Sequence, residues 1–255
     1  MILLADADIL VYQAASKCQE NFKWDDEVTS VYVDDLDYAK EVLDKDIANL
    51  MRATKTVTVL MALSSSPNFR YEVLPTYKHN RKDIEKPVLL QDLRNYLLET
   101  YPCKVKPRLE GDDVIGIMAT KYPEKYLIAS IDKDLKQIKG KHYNWRTEEF
   151  FEVTEHEGDF WFYYQTLVGD PGDGYSGCPG IGKVKALKIL NTTIEACTPW
   201  ANDKERATAL WNAVKGAYIS KDLTEEDALV QARVARILRH TDWDFKKHEV
   251  ILWKP

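Results

Sequence analysis

Eight carboxylates in this 255-residue chain fall into four short groups: Asp6; Glu110, Asp112 and Asp113; Asp132 and Asp134; Asp170 and Asp173. Carboxylate oxygens are hard ligands that hold divalent cations. Like charges brought close together repel strongly, so a converging set of this size is expected to need cations to persist. Two divalent ions suit phosphodiester hydrolysis, one activating water and the other stabilising the leaving oxygen. The last pair opens the stretch Gly169-Asp-Pro-Gly-Asp-Gly-Tyr-Ser-Gly-Cys-Pro-Gly-Ile-Gly-Lys-Val-Lys185. Its glycines let backbone N–H groups approach a phosphate closely, and a helix start at Lys183 and Lys185 favours anions. One short segment thus carries parts for a metal and parts for a phosphate chain.

A rival reading of that segment fails on its own terms. Residues 177–183 fit the first seven positions of a nucleotide-binding P-loop, but the next should be Ser or Thr and is Val184. A P-loop also leaves a buried strand directly, whereas 170–176 is polar and turn-rich. The plainer alternative is an interhelical turn with solvated acids, and the stretch alone does not decide against it.

The elements that would position these acids alternate. Residues 2–5 form an apolar run ending at Asp6, which reads as a buried parallel strand. Asp8 looks like the cap of the helix that follows. Residues 36–51 have helical spacing, and 56–63 form a second strand ending in Ser64-Ser-Ser-Pro67. After a basic and aromatic patch at 69–82 come a helix at 89–101, a strand within 103–109 and a helix opened by Glu110-Gly-Asp-Asp113. A fourth strand at 126–131 delivers Asp132 and Asp134, and 142–145 with 149–153 suggest a last strand or hairpin. Strand–helix–strand order implies a mostly parallel sheet flanked by helices, an α/β fold. The acids then follow successive strand ends, the edge where open α/β sheets bind ligands. Asp132 and Asp134, read as extended, would point to one side. Beyond this the pattern is helical, at 160–168, 184–190, 205–218 and 225–238, with Val184, Leu187 and Leu190 as one apolar face. An α/β domain at 1–157 and a helical region at 158–255 are expected. The stretch 249–253 reads as a short strand or tail.

Composition sets the outer bounds. The chain is 45% hydrophobic and 30% charged, with net charge −6 and no run approaching a membrane span. The start lacks the basic region of a signal peptide, so a cytoplasmic protein without membrane contact is expected. The four cysteines and five histidines are scattered, which argues for reduced thiols and against zinc.

These motifs together resemble the flap endonuclease/5′-3′ exonuclease superfamily, most closely its small phage-encoded members, from Asp6 to about Leu190. Glu110-Gly-Asp-Asp113 is similar to its E-x-D-D box, and Ser130-Ile-Asp-Lys-Asp134 to its S-T-D-x-D strand end. The stretch 169–183 resembles its G-D-x-x-D-N-x-x-G-x-x-G-I-G-x-K turn. The resemblance implies a PIN-like nuclease domain with a helix–three-turn–helix that grips duplex DNA. It implies two Mg2+ (or Mn2+) ions, the first on Asp6, Glu110, Asp112, Asp113 and Asp132, the second on Asp132, Asp134, Asp170 and Asp173. Tyr77-Lys-x-x-Arg81 is similar to a family motif in which Lys78 and Arg81 would meet the scissile phosphate. Duplex contacts would come from Ser176, Gly177, Gly180, Gly182, Lys183 and Lys185, with K+ held by backbone oxygens at 176–181. Two departures stand out: Ser64, Ser65 and Ser66 occupy the region where the family often has an acid, and Gly174 stands where it usually has Asn.

The function so implied is metal-dependent hydrolysis at or near the 5′ end of duplex or branched DNA, and of RNA in hybrids, by a monomer acting in the cytoplasm, the host's for a phage-encoded member. A PIN-type ribonuclease would share the sheet and acids but lack the turn at 177–185. A non-catalytic DNA-binding protein on the same fold would not need complete acidic boxes. Between Tyr77 and the acidic box, residues 79–86 are too few for a two-helix arch once the helix at 89–101 is placed. They read as a short basic lid that orders on DNA, with Lys86 breaking any helix before Pro87.

Overall fold

Strands covered on both faces read as continuous apolar runs, and β1 (Ile2–Asp6) does so: Leu3, Leu4 and Ala5 are all buried. The structure, a computed structural model, describes residues 1–23, 29–82, 84–198 and 201–255. After β1 come α1 (Ala7–Lys17), β2 (Gln19–Lys23), β3 (Thr29–Val33), α2 (Leu36–Ala53), β4 (Val59–Leu63) and α3 (Arg70–Val73). Then follow α4 (Leu90–Thr100), β5 (Cys103–Val105), α5 (Gly111–Lys121), β6 (Tyr126–Ala129), β7 (Gly140–Asn144) and β8 (Glu149–Val153). The remainder is α6 (Glu155–Val168), α7 (Lys183–Ala196), α8 (Asp203–Ile219), α9 (Glu225–Ala235), β9 (Trp243–Asp244) and β10 (Glu249–Val250).

These elements form two compact units, and neither is one stretch of chain. One holds Met1–Ser66, Ile84–Asp132 and Gly140–Phe151; the other holds Pro67–Asp83, Lys133–Lys139 and Glu152–Pro255. A boundary at 157/158 follows chain order, whereas the compact units interleave.

The first unit is built on a sheet of order β5-β4-β1-β6-β7-β8, in which β4, β1, β6 and β7 pair in parallel, as does β5 with β4. The expected α/β class with a mostly parallel sheet is therefore observed. Strand side chains alternate between faces. Leu3, Ala5, Met61 and Leu127 share a core with Leu10 of α1, Leu43 and Ile47 of α2, and Leu93 and Leu97 of α4. α5 packs on β1, β4 and β6 with Val114, Ile115 and Ile117 buried. α2 shows why the spacing is helical: Ala39, Leu43, Ile47 and Leu50 recur every three or four residues on one buried stripe. The antiparallel β2–β3 ribbon is separate from the main sheet, and the sequence reading did not anticipate it.

The second unit is helical. Phe162 and Leu167 of α6, Ala186 and Leu190 of α7, Trp211 and Val214 of α8, and Ala228 and Ala232 of α9 share one core. Capping boxes start α6 (Thr154 with Glu157), α8 (Asn202 with Glu205) and α9 (Thr224 with Asp227). The terminal stretch has a role here: Trp253 packs edge-on against Phe162 and Trp211. The apolar face expected on α7 holds at Leu190 and is corrected at Val184 and Leu187. Val184 is 81% exposed and Leu187 is exposed, while Ala186 and Leu190 face the core. In the segment 79–86, residue 83 lies outside the described residues, and 79–81 form a 3-10 turn. Among the described residues no helix is long and apolar enough to cross a membrane.

Candidate active site

In the first unit, β1 and β6 run side by side with Ala5 level with Ala129, which brings Asp6 and Ser130 together at the strand ends. The Ser130 hydroxyl donates to Asp6 Oδ2 at 2.7 Å and accepts from the Asp132 N–H at 2.9 Å. Ser130 thus ties the two carboxylate-bearing strand ends into one arrangement. Asp6, not Asp8, caps α1, accepting from the Ile9 N–H at 3.4 Å. Asp6 is buried, and burial is the main reason its carboxyl is pushed up to about 7; the Ser130 hydrogen bond opposes the rise, and the charges of Asp8 and Asp132 add to it.

Asp8 lies inside the helix and joins this site, a role the sequence reading missed. It pairs with Arg94 at 2.6 Å and accepts from the Ser64 N–H at 2.7 Å. The Ser64 hydroxyl in turn accepts from the Gly111 N–H at 2.9 Å, at the start of α5. Asp113 is fully buried and accepts from the Glu110 N–H at 3.1 Å, closing the first turn of α5. So Ser64, in the region expected to lack an acid, links Asp8 to the acidic box. A side chain at Gly111 would meet Asp8 Oδ2 at 2.9 Å, which fits the glycine in Glu110-Gly-Asp-Asp113.

The second unit carries Asp134, Asp170 and Asp173 around the buried phenol of Tyr175. Burial raises the Tyr175 pKa well above the usual range, and the three aspartates raise it further. Asp134 is not on an extended segment, as its spacing from Asp132 suggested, but on a 3-10 turn, Lys133–Gln137. The loop that carries Asp170 and Asp173 closes on itself, with Asp170 and Tyr175 exchanging backbone hydrogen bonds at 2.9 and 3.2 Å. Gly169 and Gly177 cross there with positive φ, and a Cβ on either would lie 2.4 Å from the other's nitrogen. Gly174 also has positive φ, a conformation that Asn tolerates among non-glycine residues, which accounts for that departure.

The basic residues clasp this loop. The Tyr77 hydroxyl donates to Asp173 Oδ2 at 3.1 Å, and Lys78 Nζ lies 3.7 Å from the same oxygen. Arg81 pairs with Asp173 Oδ1 and donates from Nε to the Gly172 carbonyl at 2.8 Å. Lys78 itself sits in the left-handed region, φ 51°, at the turn that leads into residues 79–81. Lys133 Nζ reaches Asp170 at 3.4 Å. Lys78 and Arg81 stand against Asp173, Lys133 against Asp134 and Asp170, and Arg94 against Asp8, ion pairs that the sequence reading did not include. Among the described residues no three carboxylate, imidazole or thiol groups close into a finished metal cage.

Comparison with known proteins gives the family of the chain. Residues 1–159 match the family described as 5′-3′ exonuclease, N-terminal resolvase-like domain. The chain belongs to the 5′-3′ exonuclease family. The exonuclease of Escherichia phage T7 is 33% identical over 281 residues, covering 100% of this chain and 93% of that protein. The flap endonuclease Xni of Shewanella pealeana is 30% identical over 137 residues, covering 48% of this chain and 54% of its own. In fold, the chain is similar to the phage T5 5′-exonuclease with bound zinc ions, at TM-score 0.60 and 16% identity, covering 92% and 93% of the two chains. It is likewise similar to the T5 flap endonuclease in a complex with DNA and metal ions, at TM-score 0.55 and 16% identity, covering 92% and 98%.

The remaining expected contacts of this exonuclease-family chain divide by environment. Gly180 and Gly182 are exposed with nothing within 4 Å of a Cβ position, and Lys183 and Lys185 are exposed at the start of α7. Ser176 is exposed too. Gly177 is buried, and its N–H donates to Gln231 Oε1 at 2.8 Å, so it serves the loop and not a phosphate. The Gly180 carbonyl accepts from Lys185 Nζ at 2.9 Å.

Proposed function

We propose that this chain is a divalent-metal-dependent 5′ nuclease that hydrolyses DNA phosphodiesters at or near a 5′ end, leaving 5′-phosphorylated products. The observation that carries the reading is geometric: the Ser130 hydroxyl joins buried Asp6 to the Asp132 N–H at the ends of adjacent parallel strands, and gathering carboxylates in this way carries a charge penalty. A divalent ion relieves that penalty, and the neighbouring groups are hard oxygens that fit Mg2+ or Mn2+. Asp6, Glu110, Asp112, Asp113 and Asp132 would hold one ion, and Asp132, Asp134, Asp170 and Asp173 a second. Such ions supply Lewis-acid activation of water and charge neutralisation at the phosphate.

The chain's own groups do the rest. Lys78 and Arg81 exchange Asp173 for the phosphate to be cut, orienting it and countering its growing charge. Tyr77 stays buried and holds Asp173 in place. The exposed N–H groups near Gly180 and Gly182, with Lys183 and Lys185, bind the duplex backbone at the start of α7, a helix N-terminus suited to phosphate. A K+ ion at the carbonyls of 176–181 belongs to the same proposal, supported by the ammonium that Gly180 already accepts from. RNA in hybrids belongs to the same proposal, since a metal-held phosphodiester is common to both kinds of strand. A magnesium-dependent digest of 5′-labelled and 3′-labelled duplexes tests the reading. Label should leave as short 5′ products from the first substrate, and equal attack at both ends, or cleavage undiminished in EDTA, would overturn it.

A further inference from the structure

A cavity of about 420 Å³ opens in the first unit between α1, α2 and the turn that follows β7, and none of the acids assigned to metal lines it. That size lies within the range of small-molecule sites. Gln13 and Lys17 of α1 share one helix face, as do Asp46 and Asn49 of α2. Lys17 Nζ and Asp46 Oδ2 pair at 2.6 Å, so these two charges offset each other. The half-buried Trp145 indole forms a wall, and its Nε1–H donates to Gln13 Oε1 at 3.2 Å. Arg52 donates to Asn49 Oδ1 at 2.8 Å in the same way. Those bonds orient both amides, and their NH2 groups are left as donors with no acceptor among the described residues. Tyr143 is only 5% exposed and tilts against Phe150 with ring centroids 4.6 Å apart. Its hydroxyl has no hydrogen-bond partner among the described residues, which is uncommon for a buried polar group. Burial raises the Tyr143 phenol above its ordinary range, and the charge of nearby Glu148 adds to the rise, so the phenol stays protonated. Glu148 lies exposed at the rim and pairs with no cation among the described residues.

A ligand therefore meets a flat aromatic face, a carboxylate without a counter-ion, a phenol oxygen and two amide donors. An anion would be repelled by Glu148, and an apolar ligand would leave the phenol and the amides unpaired. A guanidinium suits the first three features, being planar, able to stack on an aromatic face, and rich in donors for carboxylate and phenol oxygens. The amide donors then suit a carbonyl close to that cation, which is what a peptide backbone supplies. We propose that this cavity receives an arginine side chain of a partner protein, together with the backbone carbonyl beside it. Arginine is among the residues that most often anchor such interfaces. The inference stands apart from the nuclease reading, because no group in this cavity is assigned to metal or DNA.

The test is a titration of the intact chain, without DNA or metal, followed by NMR of the Trp145 indole N–H, a resonance identified by its loss in Trp145→Phe. The probe is N-acetyl-arginine methylamide at constant ionic strength, and its shift should saturate with a Kd on the order of 1–10 mM, as for one anchoring side chain. N-acetyl-citrulline methylamide has the same shape without the charge and should bind at least about tenfold more weakly. Glu148→Gln should weaken the arginine probe about tenfold, the low end for hydrogen bonds to charged groups. Glu148 is exposed in a turn, so this variant should keep the fold, and its duplex cleavage should match wild type. Butylguanidine lacks the carbonyl and should bind at least about threefold more weakly than the full probe. No saturation by about 50 mM, equal binding of the citrulline probe, or an affinity unchanged in Glu148→Gln overturns the proposal. Butylguanidine binding as tightly as the full probe overturns the peptide occupant in favour of a free organic cation.

Discussion

Replacing Asp6 with Asn should stabilise the metal-free protein. The wild-type carboxyl has its pKa raised from 3.8 to about 7, so between those values the folded state binds more protons than the unfolded state. Stability therefore falls as pH rises through that window, and the loss is complete above about 7. At about 1.4 kcal/mol per tenfold change in acidity, the span amounts to roughly 4 kcal/mol as a ceiling. Asn keeps an oxygen to accept from the Ile9 N–H and keeps the volume, but its buried amide retains a desolvation cost of its own. A gain of roughly 2–4 kcal/mol at pH 8 is the expectation, a rise in Tm of at least about 4 °C for a protein of this size. Thermal unfolding in EDTA at pH 8 and at pH 4.5 measures it, and the gain should shrink at the lower pH. Adding magnesium should reverse the order at pH 8, because only the wild type gains the full free energy of ion binding. A variant less stable than wild type in EDTA at pH 8, or a difference that ignores pH, would refute the reasoning.

The glycine loop separates structure from binding. Gly177→Ala places a Cβ 2.4 Å from the Gly169 nitrogen at a positive φ, so urea unfolding should show a loss of at least about 2 kcal/mol. Gly182→Leu, with nothing within 4 Å of its Cβ position, should leave stability within about 0.5 kcal/mol yet weaken duplex binding in anisotropy titrations. Lys183→Ala and Lys185→Ala should each lower the slope of log affinity against log salt by about 0.9, with a smaller effect on single strands. Asp242→Ala strands the buried Arg236 guanidinium, 2.9 Å away in the wild type, and should cost about 3–5 kcal/mol in the same urea experiment.

What the sequence made legible was what local pattern encodes. β1 announced itself by an unbroken apolar run, and the acids by their place after strand ends. Partners far apart in the chain left no such trace. Arg94 meets Asp8 across 86 positions, and Arg81 meets Asp173 across 92, so these ion pairs were invisible. The β2–β3 ribbon escaped because Gln19-Glu-Asn-Phe-Lys lacks the apolar alternation of a strand packed on a core. Asp8 was misplaced by two positions: both Asp6 and Asp8 are good caps, and only the fold shows which one precedes the first turn. On α7 the helix was right and its face right at Leu190 but wrong at Val184, which projects from the exposed basic start beside Lys183 and Lys185.

The central claim is that these acids hold the ions that cut DNA, and Asp132 tests it most directly. Asp132 sits beside Asp6 through Ser130, and its charge contributes to the rise in the Asp6 pKa. Asp132→Asn should lower cleavage of a 5′-labelled duplex in magnesium by at least about 100-fold, a loss typical of removing one transition-state contact. Its duplex affinity in calcium should stay within about threefold of wild type, because the duplex contacts proposed above lie on other residues. Turnover near the wild-type rate in magnesium would contradict the account.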